Sequence, residues 1–68
     1  MNLYQINEGD YEHFAEFLPS AGDCVSITFK TRWADAKDPF AFQNKLQIIL
    51  SKDEMRSLGQ HLIEQASK

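Results

Sequence analysis

Residues 23–52 read DCVSITFKTRWADAKDPFAFQNKLQIILSK, and the reading of this stretch decides the fold. Val25, Ile27, Phe29, Thr31 and Trp33 alternate with Ser26, Thr28, Lys30 and Arg32. Beyond a turn at 34–39, Phe40, Phe42, Asn44, Leu46, Ile48 and Leu50 alternate with Ala41, Gln43, Lys45 and Gln47. A period of two held over consecutive segments is the pattern of a β-hairpin with one dry and one wet face. If Trp33 pairs opposite Phe40, Arg32 faces Ala41, Lys30 faces Gln43, Thr28 faces Lys45 and Ser26 faces Gln47.

Downstream of the hairpin lies a complete helix-start signal. Ser51 suits the N-cap and Glu54 the N3 position of a capping box, with Leu50 and Met55 placed as a hydrophobic staple. Met55, Leu58, Leu62, Ile63 and Ala66 then recur at helical spacing, which predicts a helix over 52–67 with one apolar stripe. Gly59 falls on that stripe at a propensity cost of about 1 kcal/mol; close approach to the sheet is the expected compensation.

Upstream the signals are weaker. Leu3–Ile6 is a short strand candidate, with Tyr4 and Ile6 on one face. A turn at Asn7-Glu8-Gly9 leads to Asp10, a suitable N-cap. Tyr11, Phe14, Ala15 and Leu18 follow at i, i+3, i+4 and i+7, which predicts a first helix of about nine residues. Glu12, His13 and Glu16 would face water, and Pro19-Ser20-Ala21-Gly22 would end it. Such a helix is too short to persist without packing.

The expected fold is therefore one α+β domain over 1–68, in the order β-α-β-β-α. A three-stranded sheet built on the central antiparallel hairpin carries both helices on its dry face. Leu3–Ile6 would pair beside 23–33, through a right-handed crossover, or beside 40–50.

Composition narrows the function classes. Sixty-eight residues with 43% hydrophobic and 12% aromatic side chains suffice for one small core, near the lower limit for a chain without staples. Cys24 is the sole cysteine, so no intrachain disulfide forms, and a reducing, cytoplasmic setting is expected. The start of the chain lacks the basic-then-apolar pattern of a signal peptide, and no apolar run approaches a membrane span of roughly 20 residues. Net charge is −3, unevenly spread: residues 1–29 hold five acids and no Lys or Arg, while all seven Lys and Arg lie in 30–68. Such halves can complement each other within or between molecules.

No arrangement of residues supports catalysis. Cys24 has no His or Lys beside it in sequence to activate a thiolate, and the three glycines form no phosphate loop. The His13/Glu16 and His61/Glu64 pairs each offer two ligands where a metal site needs three or four. No enzyme, cofactor or metal is expected.

Two surfaces remain as candidates. The wet face of the hairpin carries Lys30, Arg32 and Lys45, which suits contacts to nucleic-acid phosphates and base edges. However, the hairpin aromatics have the opposite parity, and single-strand readers stack bases on aromatics. The other surface follows from lengths. Hairpin arms of about eleven residues span roughly 36 Å, whereas the C-terminal helix spans only about 24 Å. Trp33, Phe40 and Phe42 near the tip, with Phe17, form an aromatic patch unless the first helix covers them. Exposed patches of this kind mark a partner or dimer surface. The expected function is accordingly a non-catalytic protein–protein interaction module: a small intracellular adaptor, modulator or inhibitor. Its partner would be another protein or a second copy of itself, with no membrane contact. Nucleic-acid association through Lys30, Arg32 and Lys45 is the alternative. A third reading, mimicry of nucleic acid by Glu8, Asp10, Glu12 and Glu16, rests on too few carboxylates.

Overall fold

The computed structural model describes residues 2–68. It is an antiparallel meander of four strands in sheet order β1-β2-β3-β4: β1 Asn2–Gln5, β2 Tyr11–Pro19, β3 Cys24–Trp33 and β4 Gln43–Ser51. The chain then enters one helix, α1, Lys52–Ala66. This corrects the expected three-stranded sheet with two helices. The segment read as a first helix is β2, a central strand, and β1 pairs with it rather than with either arm of the hairpin.

Tyr11–Pro19 forms a strand for a physical reason. Tyr11–Pro19 satisfies two periods at once: the helical stripe of Tyr11, Phe14, Ala15 and Leu18, and an alternation of Tyr11, His13, Ala15, Phe17 and Pro19 with Glu12, Phe14, Glu16 and Leu18. A nine-residue helix gains little alone, whereas a strand here is paired along its whole length with β3 and over its middle, Phe14–Phe17, with β1. Aromatic residues also favour strands. Asp10 does not cap a helix; its carbonyl accepts a hydrogen bond from the Ala34 N–H at 2.8 Å, extending the β2–β3 ladder. Gly22, at φ +66°, supplies the left-handed residue in the tight turn between β2 and β3.

The β3–β4 hairpin exists, but its register differs from the expected one. Val25 pairs with Leu50, Ile27 with Ile48 and Phe29 with Leu46; then Lys30 pairs with Asn44 and Thr31 with Gln43. Lys45 is the extra residue of a bulge between these two runs. The bulge reverses the parity of everything before it in β4. The β3–β4 ladder ends at Thr31–Gln43, so Phe40 falls in the connecting loop 34–42 and Trp33 has its partner on the other side, Tyr11 of β2.

The register sorts the sheet into two faces. Tyr4, Tyr11, His13, Ala15, Phe17, Val25, Ile27, Phe29, Thr31, Trp33, Leu46, Ile48 and Leu50 share the apolar face. Glu12, Phe14, Glu16, Ser26, Thr28, Lys30 and Arg32 share the polar one. Among the described residues, the buried apolar side chains are Phe14, Ala15 and Ile27, all on the two central strands.

Helix α1 starts as its sequence dictates. The Ser51 side chain accepts the Glu54 N–H at 3.1 Å, and the Glu54 carboxylate accepts the Ser51 N–H at 2.8 Å. Its position corrects the expectation that it lies across the sheet. None of its residues is buried, its principal neighbour is β4, the strand it leaves, and Leu46 on the apolar face stays 55% exposed. The result is a slab of 39 × 35 × 16 Å with a radius of gyration of 13.8 Å, against about 11 Å for a globule of this length.

Candidate interaction surfaces

The polar face is a paired network. Arg32 Nε donates to Glu12 Oε1 at 2.9 Å, directly across β2 and β3, and Lys30 Nζ lies 2.9 Å from Glu16 Oε1 on the diagonal. Gln5 donates a further hydrogen bond to Glu12 at 2.8 Å. The Arg32 guanidinium, first through its hydrogen bond and then through its charge, holds the Glu12 carboxyl below the usual glutamate range against the opposing effect of burial. The acidic amino-terminal residues and the basic hairpin thus complement each other inside one sheet. The hairpin alone shows no acid on this face; β2, read as a helix, conceals both.

An aromatic centre lies within the network. Phe14, only 4% exposed, meets Phe42 edge-on with ring centroids 5.0 Å apart. The Arg32 guanidinium carbon lies 5.2 Å from the Phe14 ring and 5.1 Å from the Phe42 ring, and Lys30 Nζ lies 5.8 Å from Phe42, distances at which a ring face attracts a cation. The bulge places Phe42 on this face.

The residues expected to form one aromatic patch are therefore dispersed. Phe17 and Trp33 share the apolar face but sit far apart along it, beside Ile27 and Tyr11 respectively. Phe42 is on the polar face, 40% exposed, and Phe40 projects from the 34–42 loop at 81% exposure. Trp33 is 47% exposed and lines, with Tyr11, Thr31, Lys37, Asp38 and Gln43, a cleft of about 430 Å³ beneath that loop. Lys45 is the unpaired residue of the bulge, next to the Lys30–Asn44 pair in the ladder. His13 and Glu16 point to opposite faces of β2, which separates that pair. Of the four acids considered for mimicry, Glu12 and Glu16 are engaged by Arg32 and Lys30.

The apolar stripe of α1, expected to lie in the core, is uncovered instead. Along α1, Leu58, Leu62 and Ile63 are exposed, and Met55 at the head of the stripe is half-buried. The apolar face adds Tyr4, Tyr11, Trp33 and Leu46 to the exposed apolar residues. A helical stripe in sequence shows that a helix will be covered; it does not show by what. Among the described residues, no helix is long and apolar enough to cross a membrane.

Comparison with family models, with curated proteins and with solved structures finds no match to this chain. The functional reading rests on its own surfaces.

Proposed function

We propose that this chain is a non-catalytic protein–protein interaction module that acts as a self-associated pair. The observation that carries the reading is α1: fifteen residues with none buried, presenting Leu58, Leu62 and Ile63 to solvent. A helix of that length is marginal in water without packing on its apolar face. Accessible area supports the same reading. A folded monomer of 7.8 kDa exposes about 4,400 Å² by the usual scaling with mass. This chain exposes 5302 Å², and the excess of about 900 Å² is close to the roughly 800 Å² that each partner buries in a standard interface. A second copy is present at the chain's own concentration and carries the same deficit. The sole cysteine, half-buried Cys24, fits an intracellular site of action that needs no disulfide. Thermal unfolding followed by circular dichroism over a hundredfold range of protein concentration tests the proposal. The melting temperature should rise with concentration, as it must when association stabilises the native state; a constant value would contradict it.

Phe42 favours a second reading, association with nucleic acid. It offers a partly exposed ring beside Lys30 and Arg32 on an open sheet, an arrangement suited to base stacking. This reading ranks below the first because Glu16 and Glu12 already neutralise those cations, which removes most of the counterion-release gain. Fluorescence anisotropy with single-stranded oligonucleotides at low salt decides it. Binding that weakens on Phe42→Ala and on added salt would promote it, and no binding at high micromolar protein would remove it.

A further inference from the structure

Gly59 serves no purpose that one copy of the chain can explain. It lies within the stripe of Met55, Leu58, Leu62 and Ala66, where glycine lowers helix stability relative to alanine. Two ordinary reasons for glycine fail here. The backbone at Gly59 is not left-handed, since the positive-φ glycines are Gly9 and Gly22. Nor does another element pack against it: beyond its chain neighbours and its own helix backbone, a Cβ built on the half-buried Gly59 meets no atom within 4 Å. The expected close approach to the sheet is absent. What remains is a close approach by something outside the chain.

We propose that Gly59 is the point at which the α1 helices of two copies cross, antiparallel, on the two-fold axis of a homodimer. The inference rests on the self-association reading and specifies its contact. Position argues for a second copy as the occupant. Gly59 is the midpoint of Lys52–Ala66, with seven residues on either side. In a two-fold interface residue i meets j while j meets i, so a crossing at the midpoint buries both halves of each helix equally. Met55 then meets Ile63 of the other copy, and Ile63 meets its Met55. Without a side chain at the axis, the backbones come closer than the roughly 8–10 Å of ordinary helix pairs, which lets the Leu58 and Leu62 side chains interlock around the crossing. The uncovered area matches one copy's share of such an interface, as derived above.

Sedimentation velocity on the full chain, with Gly59→Ala and Gln60→Ala in parallel and circular dichroism on each, tests the crossing. Considered as a monomer, Gly59→Ala has room for its methyl and gains helix propensity, so it should keep or increase its helix signal. At the crossing the same methyl separates the helices, and dimer affinity should fall at least tenfold. Gln60→Ala should leave it unchanged. A Gly59→Ala dimer as tight as the wild type, or tighter, overturns the crossing. If Leu62→Glu disrupts association while Gly59→Ala does not, self-association stands and the crossing alone fails. A wild-type chain that stays monomeric at high micromolar concentration overturns both. Nitroxides on Gln65→Cys, in a Cys24→Ser background, report the direction. Antiparallel helices separate the labels by roughly 18 Å along the axes, and contact-range coupling would show a parallel pair instead.

Discussion

Leu62→Ala separates a monomeric account of this chain from a dimeric one. Leu62 is 59% exposed on α1, so within one copy its truncation removes little packing, and alanine is the better helix former. A monomer should therefore be unaffected or slightly stabilised. Fully burying a leucine contributes about 1.5–3 kcal/mol. The exposed 59% of Leu62 accordingly stands to contribute about 0.9–1.8 kcal/mol when a second copy covers it. Two-fold symmetry counts the residue twice, giving about 1.8–3.5 kcal/mol per dimer. At about 1.4 kcal/mol per tenfold, the dissociation constant should rise roughly 20- to 300-fold. Sedimentation equilibrium at several loading concentrations measures it, with circular dichroism confirming that the helix persists. An unchanged dissociation constant in a folded variant would refute the assignment of the stripe to the interface. Loss of the whole fold in a variant that stays monomeric would show that Leu62 packs within its own chain.

Further outcomes follow from the same structure, each measured at fixed protein concentration. Ser51→Ala removes the cap that accepts the Glu54 N–H and should cost about 0.5–2 kcal/mol in urea unfolding, whereas Ser57→Ala, on the solvent side of α1, should be nearly neutral. Phe14→Ala empties the site covered by Phe42 and Arg32 and should cost about 3–5 kcal/mol, enough to unfold most of the population; a native amide spectrum would contradict the core placement. Glu12 and Glu54 both titrate below the ordinary glutamate range, held there chiefly by Arg32 and by the Ser51 backbone N–H. A depressed folded value means that the unfolded chain binds protons first. Their contribution is thus complete above the ordinary glutamate pKa and is lost as pH falls through the folded values. Urea midpoints should drop on acidification, and Glu12→Gln with Glu54→Gln should flatten that drop.

The parts of this fold legible in sequence are those fixed locally. Val25–Trp33 alternates without ambiguity, and Ser51 and Glu54 satisfy each other within one turn, so β3 and the start of α1 can be read directly. Tyr11–Pro19 cannot, because Tyr11, Phe14, Ala15 and Leu18 fit a helical stripe while Tyr11, Ala15 and Phe17 against Glu12 and Glu16 fit a strand, and only pairing with β3 selects the strand. Reading it as a helix then hid Glu12 and Glu16 from the face where Lys30 and Arg32 lie. The bulge at Lys45 carries no glycine or proline to announce it, yet it alone moves Phe42 to the polar face. The stripe of α1 was plain in sequence, but its destination depends on geometry beyond β4. Gly59 stands out in the sequence as a glycine on the helical stripe, and the structure shows open space where close approach to the sheet is expected.

The central claim concerns what covers α1, and the mass of the native chain in dilute salt tests it most directly. Sedimentation equilibrium at micromolar concentration should return twice the 7.8 kDa of one chain, with Leu62→Glu returning a single 7.8 kDa species. A folded wild-type chain that sediments as a monomer up to several hundred micromolar would contradict the account.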